Sequence, residues 1–224
     1  MHVTVRYFAG HRDITGQSSE DFELPEAATI EYLWARMIER YPGLAAYTGR
    51  VLYAVNEEFG SLSTALHNGD QVAFIPPVSG GNSEATAHIR VSEQPLDAAA
   101  LTSLVQAADM GAIVTFAGIV RNNFGGRATA YLEYEAYQAM AERVLAQLAS
   151  EAAQRWKTGA IAIHHRIGRL EIGESAVLIV VASAHRQAAF EAAAWLMDRI
   201  KEVAPIWKKE HWADGDSEWV ENRG

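Results

Sequence analysis

The sequence predicts an α+β protein of two domains. Three observations carry that prediction. Residues 1–75 hold short alternating segments around one strongly amphipathic segment, in the order β-β-α-β-β. From about residue 88, strand-like segments alternate with helical ones of several turns. Between them lies Ile75-Pro76-Pro77-Val78-Ser79-Gly80-Gly81-Asn82-Ser83-Glu84, dense in turn and linker residues. The expected division is a domain over 1–81, a linker over 82–87 and a domain over 88–224.

In the first domain, Val3-Thr4-Val5-Arg6-Tyr7-Phe8 alternates and is rich in β-formers, a first strand. Gly10 and Gly16 bracket a loop or a turn of helix. Ser18 to Leu24 gives a second strand with Phe22 and Leu24 on one face. Thr29 is the N-cap of the clearest helix, in which Ile30, Leu33, Trp34, Met37, Ile38 and Tyr41 form one stripe and Pro42-Gly43 is the stop. Val51 to Asn56 is a third strand, followed by a turn-rich segment to Leu66. Gly69-Asp70 turns the chain into a last strand, Gln71 to Ile75, which runs directly into Pro76-Pro77.

In the second domain, His88–Val91 reads as a strand and Asp97–Ala108 as a helix with Leu101, Leu104 and Val105 inward. Gly111 to Arg121 is a strand whose unbroken apolar content implies burial on both faces. A loop at Asn122–Gly126 precedes a strand at Tyr131–Glu135 and a helix from about Tyr137 to Trp156. Strands at Ala160–Gly168 and Ala176–Ala182 follow, with Arg169–Glu174 turning the chain between them. The last helix runs from about Gln187 to Val203, with Phe190, Ala194, Trp195, Met197 and Ile200 inward, and stops at Pro205. Two helices on one side of a mixed sheet is the economical arrangement.

Composition narrows the function. The chain has 224 residues, is 49% hydrophobic and carries a net charge of −9, which disfavours broad nucleic-acid binding through phosphate neutralisation. No apolar run approaches the roughly 20 residues of a membrane helix, and the N-terminus lacks signal-peptide character, so a cytoplasmic protein with no membrane partner is expected. Cysteine is absent, which excludes disulfides, thiolate metal sites and cysteine nucleophiles. Residues 1–81 hold five arginines, no lysine and ten acids, a net −5. All four lysines lie later, and Lys201, Lys208 and Lys209 fall within nine residues. An acidic first domain beside a local cationic cluster invites docking of one on the other.

Three groups of residues have the chemistry of a site. His185-Arg186 stands at a strand-to-helix junction, where free backbone N–H groups, an imidazole and a guanidinium make an anion site. The plainer alternative is a packed histidine beside an arginine paired with an acid such as Glu191. Lys201 and Lys208 flank Pro205, whose bend would let both reach one pocket, with Trp207 shielding a wall and desolvation lowering a lysine pKa. Complementing the helix C-terminal dipole explains Lys201 equally well, but not Lys208. Arg121 closes the Gly111–Val120 strand, as a phosphate or carboxylate ligand or as a surface ion pair. Arg223, near the C-terminus, is a weaker fourth candidate. No metal-ligand pattern survives, because His164 and His165 point to opposite faces of a strand. No phosphate-binding glycine loop and no nucleophile elbow is present.

The first domain's order, with its last strand running into Gly80-Gly81, is that of a β-grasp, ubiquitin-like domain. Arg6-Tyr7-Phe8-Ala9, the helix before Tyr41-Pro42, Val55-Asn56 and Asp70 through Gly81 resemble the ubiquitin-like sulfur carriers, above all the small subunit of molybdopterin synthase. The second domain resembles the large subunit of the same enzyme, from about His88 to Arg223. That likeness is carried by Thr115–Asn122, Glu133–Tyr137, His165–Gly168 with Gly173-Glu174, Ser183–Phe190, and Lys201 through Glu210. It implies an α/β hammerhead-type catalytic fold.

The resemblance implies a sulfurtransferase of molybdenum cofactor biosynthesis. Sulfur would be carried as a thiocarboxylate on Gly81, loaded by an E1-like adenylating enzyme and a sulfur donor, and passed to cyclic pyranopterin monophosphate to form a dithiolene. It implies Lys201 and Lys208 as the catalytic pair, and Arg121, His185 and Arg186 as substrate ligands. It implies no cofactor and no metal, and a homodimer in which Arg223 serves the neighbouring site. Gly80 and Gly81 fit a tail that threads a channel. One departure is Ile119, where the family often has a basic residue. Two other readings stay open from sequence: a non-catalytic ubiquitin-like scaffold, and sulfur delivery to another acceptor.

Overall fold

The computed structural model describes residues 1–49, 51–75 and 87–220. The expectations at Gly80, Gly81 and Arg223 fall outside the described residues, as does most of the 82–87 linker. The chain forms two compact units, Met1–Ser79 and Gly80–Gly224. Both mix helix and strand, as an α+β protein should.

The first unit runs β1 (His2–Arg6), α1 (Ala9–Thr15), β2 (Ser19–Glu23), α2 (Ile30–Arg40), a 3-10 segment (Pro42–Tyr47), β3 (Leu52–Val55), β4 (Glu58–Gly60) and β5 (Gln71–Ile75). Its sheet order is β2-β1-β5-β3-β4, with β1 and β5 parallel at the centre, which is the β-grasp arrangement. Helix α2 starts where its N-cap says it should: the Thr29 hydroxyl accepts from Tyr32 N–H. Its stripe of Ile30, Leu33, Trp34 and Met37 is buried with Val3, Val5, Val72 and Phe74. Each such side chain contributes about 2 kcal/mol by leaving water. Trp34 stacks on Phe74 at 4.9 Å, which ties the helix to the last strand.

Polar contacts fix the edges. Tyr7 and Tyr41 both donate to Glu20 Oε2 at 3.0 Å, while Arg40 holds Oε1 at 2.6 Å, joining β1, β2 and the end of α2. At the entry to β5, Asn56 donates to Asp70 and accepts from Gln71 N–H, and Asp70 also accepts from His67 N–H. The strand that leads toward Gly80-Gly81 therefore begins from a clamped corner. Two expectations change. The Gly10–Gly16 stretch is a full helix, α1, and the turn-rich segment contains strand β4. Asn56 and Glu57 turn β3 into β4 with positive φ, a hairpin without the usual Asn-Gly signal.

The second unit runs β6 (Ala87–Ser92), α3 (Ala98–Val105), β7 (Ala112–Ile119), β8 (Asn123–Phe124), β9 (Arg127–Ala136), α4 (Gln138–Trp156), β10 (Ile161–Arg166), β11 (Gly168–Glu171), β12 (Ser175–Ser183), α5 (Arg186–Val203), β13 (Ile206–Trp212) and β14 (Ser217–Val220). One sheet has the order β6-β10-β12-β7 and the other β11-β9-β13-β14, with β8 paired to β9. On the first sheet, Leu101 and Val105 of α3 pack on Ala162, Leu178, Val180 and Ala182. The alternate residues Ile161, Ile163, Ile179 and Val181 are also buried, and α4 and α5 contact these strands. At Gly168, with φ of 78°, the chain turns from β10 into β11 and so changes sheets. Arg166 locks this corner by donating to Glu174 at 2.8 Å and to the Glu93 carbonyl.

Several expectations fail here for identifiable reasons. Among the described residues the unit has the three expected helices, but two sheets instead of one mixed sheet. Half of Arg169–Glu174 belongs to strand β11, and the turn is confined to its last three residues. Strand β7 is a sheet edge, so Phe116 and Ile119 stay exposed where burial on both faces was expected. Leu104 is exposed because the short α3 buries only Leu101 and Val105. Helix α5 turns a different face inward: Ala189, Ala192, Ala193, Leu196, Ile200 and Val203 are buried, while Phe190 and Ala194 are exposed. The small alanines allow close packing, and the larger Trp195 instead meets Trp156 of α4 at 5.5 Å.

His11 links the first unit's stability to pH. It is buried against Tyr47 and Trp34 and donates to the Phe74 carbonyl, and its Nε2 has no partner among the described residues. Burial lowers its pKa to about 4, so the native state holds it neutral while the unfolded chain takes up a proton below about 6.5. This contribution is complete above about pH 6.5 and is lost as pH falls toward 4, a loss of about 3 kcal/mol. Hydrogen exchange of α2 amides in the full chain should show that loss. A His11→Phe variant should show a flat response over the same range, and an unchanged slope in the variant would contradict the assignment.

Candidate active site

Lys201, Lys208 and Arg121, three of the residues expected to share a site, line one cleft in the second unit, about 420 Å³ in volume. It is lined from β7 by Phe116, Gly118 and Ile119, with Arg121 just beyond, and from β12 by Ala176 and Val177. Met197, Ile200 and Lys201 of α5 form another wall. Asn123 and Phe124 of β8, Leu132 and Tyr134 of β9, His165 of β10, and Ile206, Lys208 and Glu210 of β13 complete it.

The break after α5 makes this possible. Lys201 lies in its last turn, Ala204 N–H still closes onto Ile200, and Pro205 prevents another turn. The Pro205 carbonyl accepts from Tyr137 N–H, and one residue later β13 is paired with β9. Lys208 lies opposite Tyr134 in that ladder. Because strand side chains alternate, Ile206, Lys208 and Glu210 share the cleft face. Trp207 points the other way and does not form the expected wall, and Lys209 sits over the Trp219 ring.

Lys208 is mostly buried, 3.7 Å from Glu210 Oε2 and 4.6 Å from the centre of the Phe124 ring. Burial pulls its pKa down, Arg121 and Lys201 add to that, and Glu210 opposes it. Glu210 itself is 2% exposed. Its Oε1 accepts from Thr129 at 2.5 Å, while Oε2 has no hydrogen-bond partner among the described residues. Tyr134, beside it, has its phenol pushed up to about 12 by burial and by the Glu210 charge. Arg121 and Lys201 have no ion pair among the described residues, so the surface-pair alternative for Arg121 finds no support there.

His185 and Arg186 lie elsewhere. His185 is the N-cap of α5, Arg186 its first residue, and both are exposed. Arg186 and Lys201 are fifteen positions apart on one helix, about 22 Å. Within one copy the two cation groups stand at opposite ends of α5. Glu191, the expected alternative partner for Arg186, instead accepts from Trp156 and Gln187.

Glu210, Tyr134 and His165 received no role from the sequence. For Glu210 the available signal was the Lys-x-Glu spacing, which puts both side chains on one face once residues 206–212 are seen as a strand. No cluster of three or more metal-ligating side chains occurs among the described residues.

Comparison with known proteins assigns the chain to a family. Residues 91–203, half of the chain, match the profile described as MoaE protein. The chain belongs to the MoaE family. Residues 5–81 match the ThiS family. The MoaE domain is 48% identical over 130 residues to the molybdopterin synthase catalytic subunit of Halalkalibacterium halodurans, covering 58% of this chain and 83% of the relative. It is 52% identical over 110 residues to that of Staphylococcus carnosus, covering 49% of this chain and 73% of the relative. Among solved structures, molybdopterin synthase from Staphylococcus aureus aligns with a TM-score of 0.56 at 44% identity, covering 58% of this chain and 95% of that one. A MoaE protein from Burkholderia ambifaria aligns at 0.53 and 36% identity, covering 62% and 91%. One polypeptide thus joins a ThiS sulfur-carrier domain to a MoaE catalytic domain.

Proposed function

We propose that the chain is a molybdopterin synthase whose carrier and catalytic parts are encoded together. In this reading the MoaE domain moves sulfur from a thiocarboxylate on Gly81 to cyclic pyranopterin monophosphate. The observation that carries it is the convergence of Lys201, Lys208 and Arg121 on one cleft, in a chain that also holds a sulfur-carrier domain.

The chemistry fits the charges. Both reactants are anions, a thiocarboxylate and a cyclic phosphate, and three cations surround the cleft. Sulfur attacks a carbon of the pterin side chain and displaces an oxygen there, which leaves with the C–O electron pair. Water then cleaves the acyl–sulfur bond, returning a carboxylate to Gly81 and leaving the sulfur on the pterin side chain. Lys201 holds the developing negative charge. Lys208, whose pKa is lowered by burial, gives up a proton more readily than a free lysine and is suited to proton transfer. Sulfur arrives on the carrier, so the transfer calls for no metal and no cofactor. Loading the carrier calls for an adenylating enzyme and a sulfur donor as partners. His185, Arg186 and Arg223 complete the substrate site from a second copy, which accounts for the distance between the ends of α5.

An internal Gly81 has no free carboxylate, so the reading includes a cut after Gly81. The ThiS match ends at that residue. Intact-mass measurement on active protein from its native host should show a fragment ending at Gly81; a single full-length species in an active preparation would sink the cut. Replacing Lys201 by Ala should lower dithiolene formation at least about a hundredfold while carrier affinity stays within about twofold. Wild-type turnover in that variant would remove Lys201 from the mechanism.

A further inference from the structure

The sulfur-transfer reading uses the cations of the cleft and leaves His165 without a role. The residue is 5% exposed, near the end of β10, with its backbone fixed opposite Val177 of β12. Its Nδ1 is 2.8 Å from the Arg166 carbonyl. A carbonyl only accepts, so Nδ1 carries the proton. Burial lowers the ring's pKa to about 4, which keeps it neutral at neutral pH and leaves a lone pair on Nε2.

That lone pair is available. Nε2 has no partner among the described residues, and it is not among the polar atoms sealed from solvent. The space the ring borders is the cleft. Tyr134 packs edge-on at 5.1 Å, so the ring is held from its own strand and from β9 while Nε2 stays open. The surroundings give this acceptor a distinct task. Arg121, Lys201 and Lys208 serve the anionic part of a ligand but offer nothing to a ligand's N–H groups. Glu210 is engaged with Thr129 and faces Lys208. Phe116, Phe124 and Tyr134 add aromatic walls suited to a flat ring.

We propose that His165 is a specificity-determining residue, whose Nε2 accepts a hydrogen bond from an N–H group on the planar nitrogen heterocycle of the substrate. The identity of that heterocycle as a pterin rests on the sulfur-transfer reading above. The cations then recognise the phosphate, and His165 recognises the ring.

Two variants of the full chain separate this role from a structural one. His165→Asn keeps an N–H where Nδ1 donates to Arg166 and removes the acceptor at the tip. His165→Gln places a carbonyl oxygen near the position of Nε2 and gives up the Nδ1 donor. Calorimetric titration would use cyclic pyranopterin monophosphate and, separately, inorganic phosphate. His165→Asn should bind the precursor about tenfold more weakly, the worth of one buried hydrogen bond, and His165→Gln should remain within about threefold of wild type. Phosphate affinity should be the same in all three proteins. A His165→Asn variant with wild-type precursor affinity, or equal weakening in both variants, would overturn the proposal. If the wild-type chain turns the precursor over and His165→Asn is unchanged, only the role of His165 falls. If the wild-type chain does not bind the precursor, the sulfur-transfer reading falls with it.

Discussion

The catalytic domain depends on the chain break at Pro205. A helix continuing through that point would carry Lys208 about 10 Å further along the axis from Lys201. Proline ends the helix, its carbonyl is taken by Tyr137 N–H, and the chain enters β13 at once. The β13–β9 ladder then sets Lys208 and Glu210 on the face that looks at the end of α5. The corner at Gly168, locked by Arg166 and Glu174, brings β10 and β11 to the same place from the other side. The cleft is where two sheets and a helix end meet.

The electrostatics of that cleft are unbalanced by construction. Three cations line it, and Glu210 is the acid among its lining residues. Burying Lys208 beside two other positive groups costs free energy, as its lowered pKa records, and an anionic ligand would relieve that cost. At the other end of α5, Arg186 stands exposed with no carboxylate partner among the described residues. A single copy cannot bring the two cation groups onto one small anion, because the helix between them is rigid and about 22 Å long over that span. A twofold arrangement of identical chains can.

Much of this was legible in the residues. The α2 stripe with its Thr29 cap and the last strand into Pro76 followed from local pattern, because α2 buries one face and β5 is central in its sheet. Strand β7 misled, since an apolar run signals burial only if something covers it, and β7 is an edge. Helix α5 misled in another way: its buried face is mostly alanine, so the largest side chains marked the wrong side. Lys201, Lys208 and Arg121 were recognisable as site candidates by type and position. Glu210 and His165 were not, because their importance lies in which face they share with Lys208 and Tyr134, and that is set by strand pairing across the unit. His185-Arg186 was visible as a local anion site, but its distance from the lysines is a property of the fold.

The most direct test of a site shared between copies is complementation. Lys201→Ala and Arg186→Ala chains would be produced separately and co-expressed, and dithiolene formation measured from loaded carrier and cyclic precursor. Each variant alone should be nearly inactive. Random pairing into twofold dimers should restore about a quarter of wild-type activity, because half the dimers would contain one intact site of two. A co-expressed sample as inactive as either variant alone would show that the two ends of α5 do not build one site.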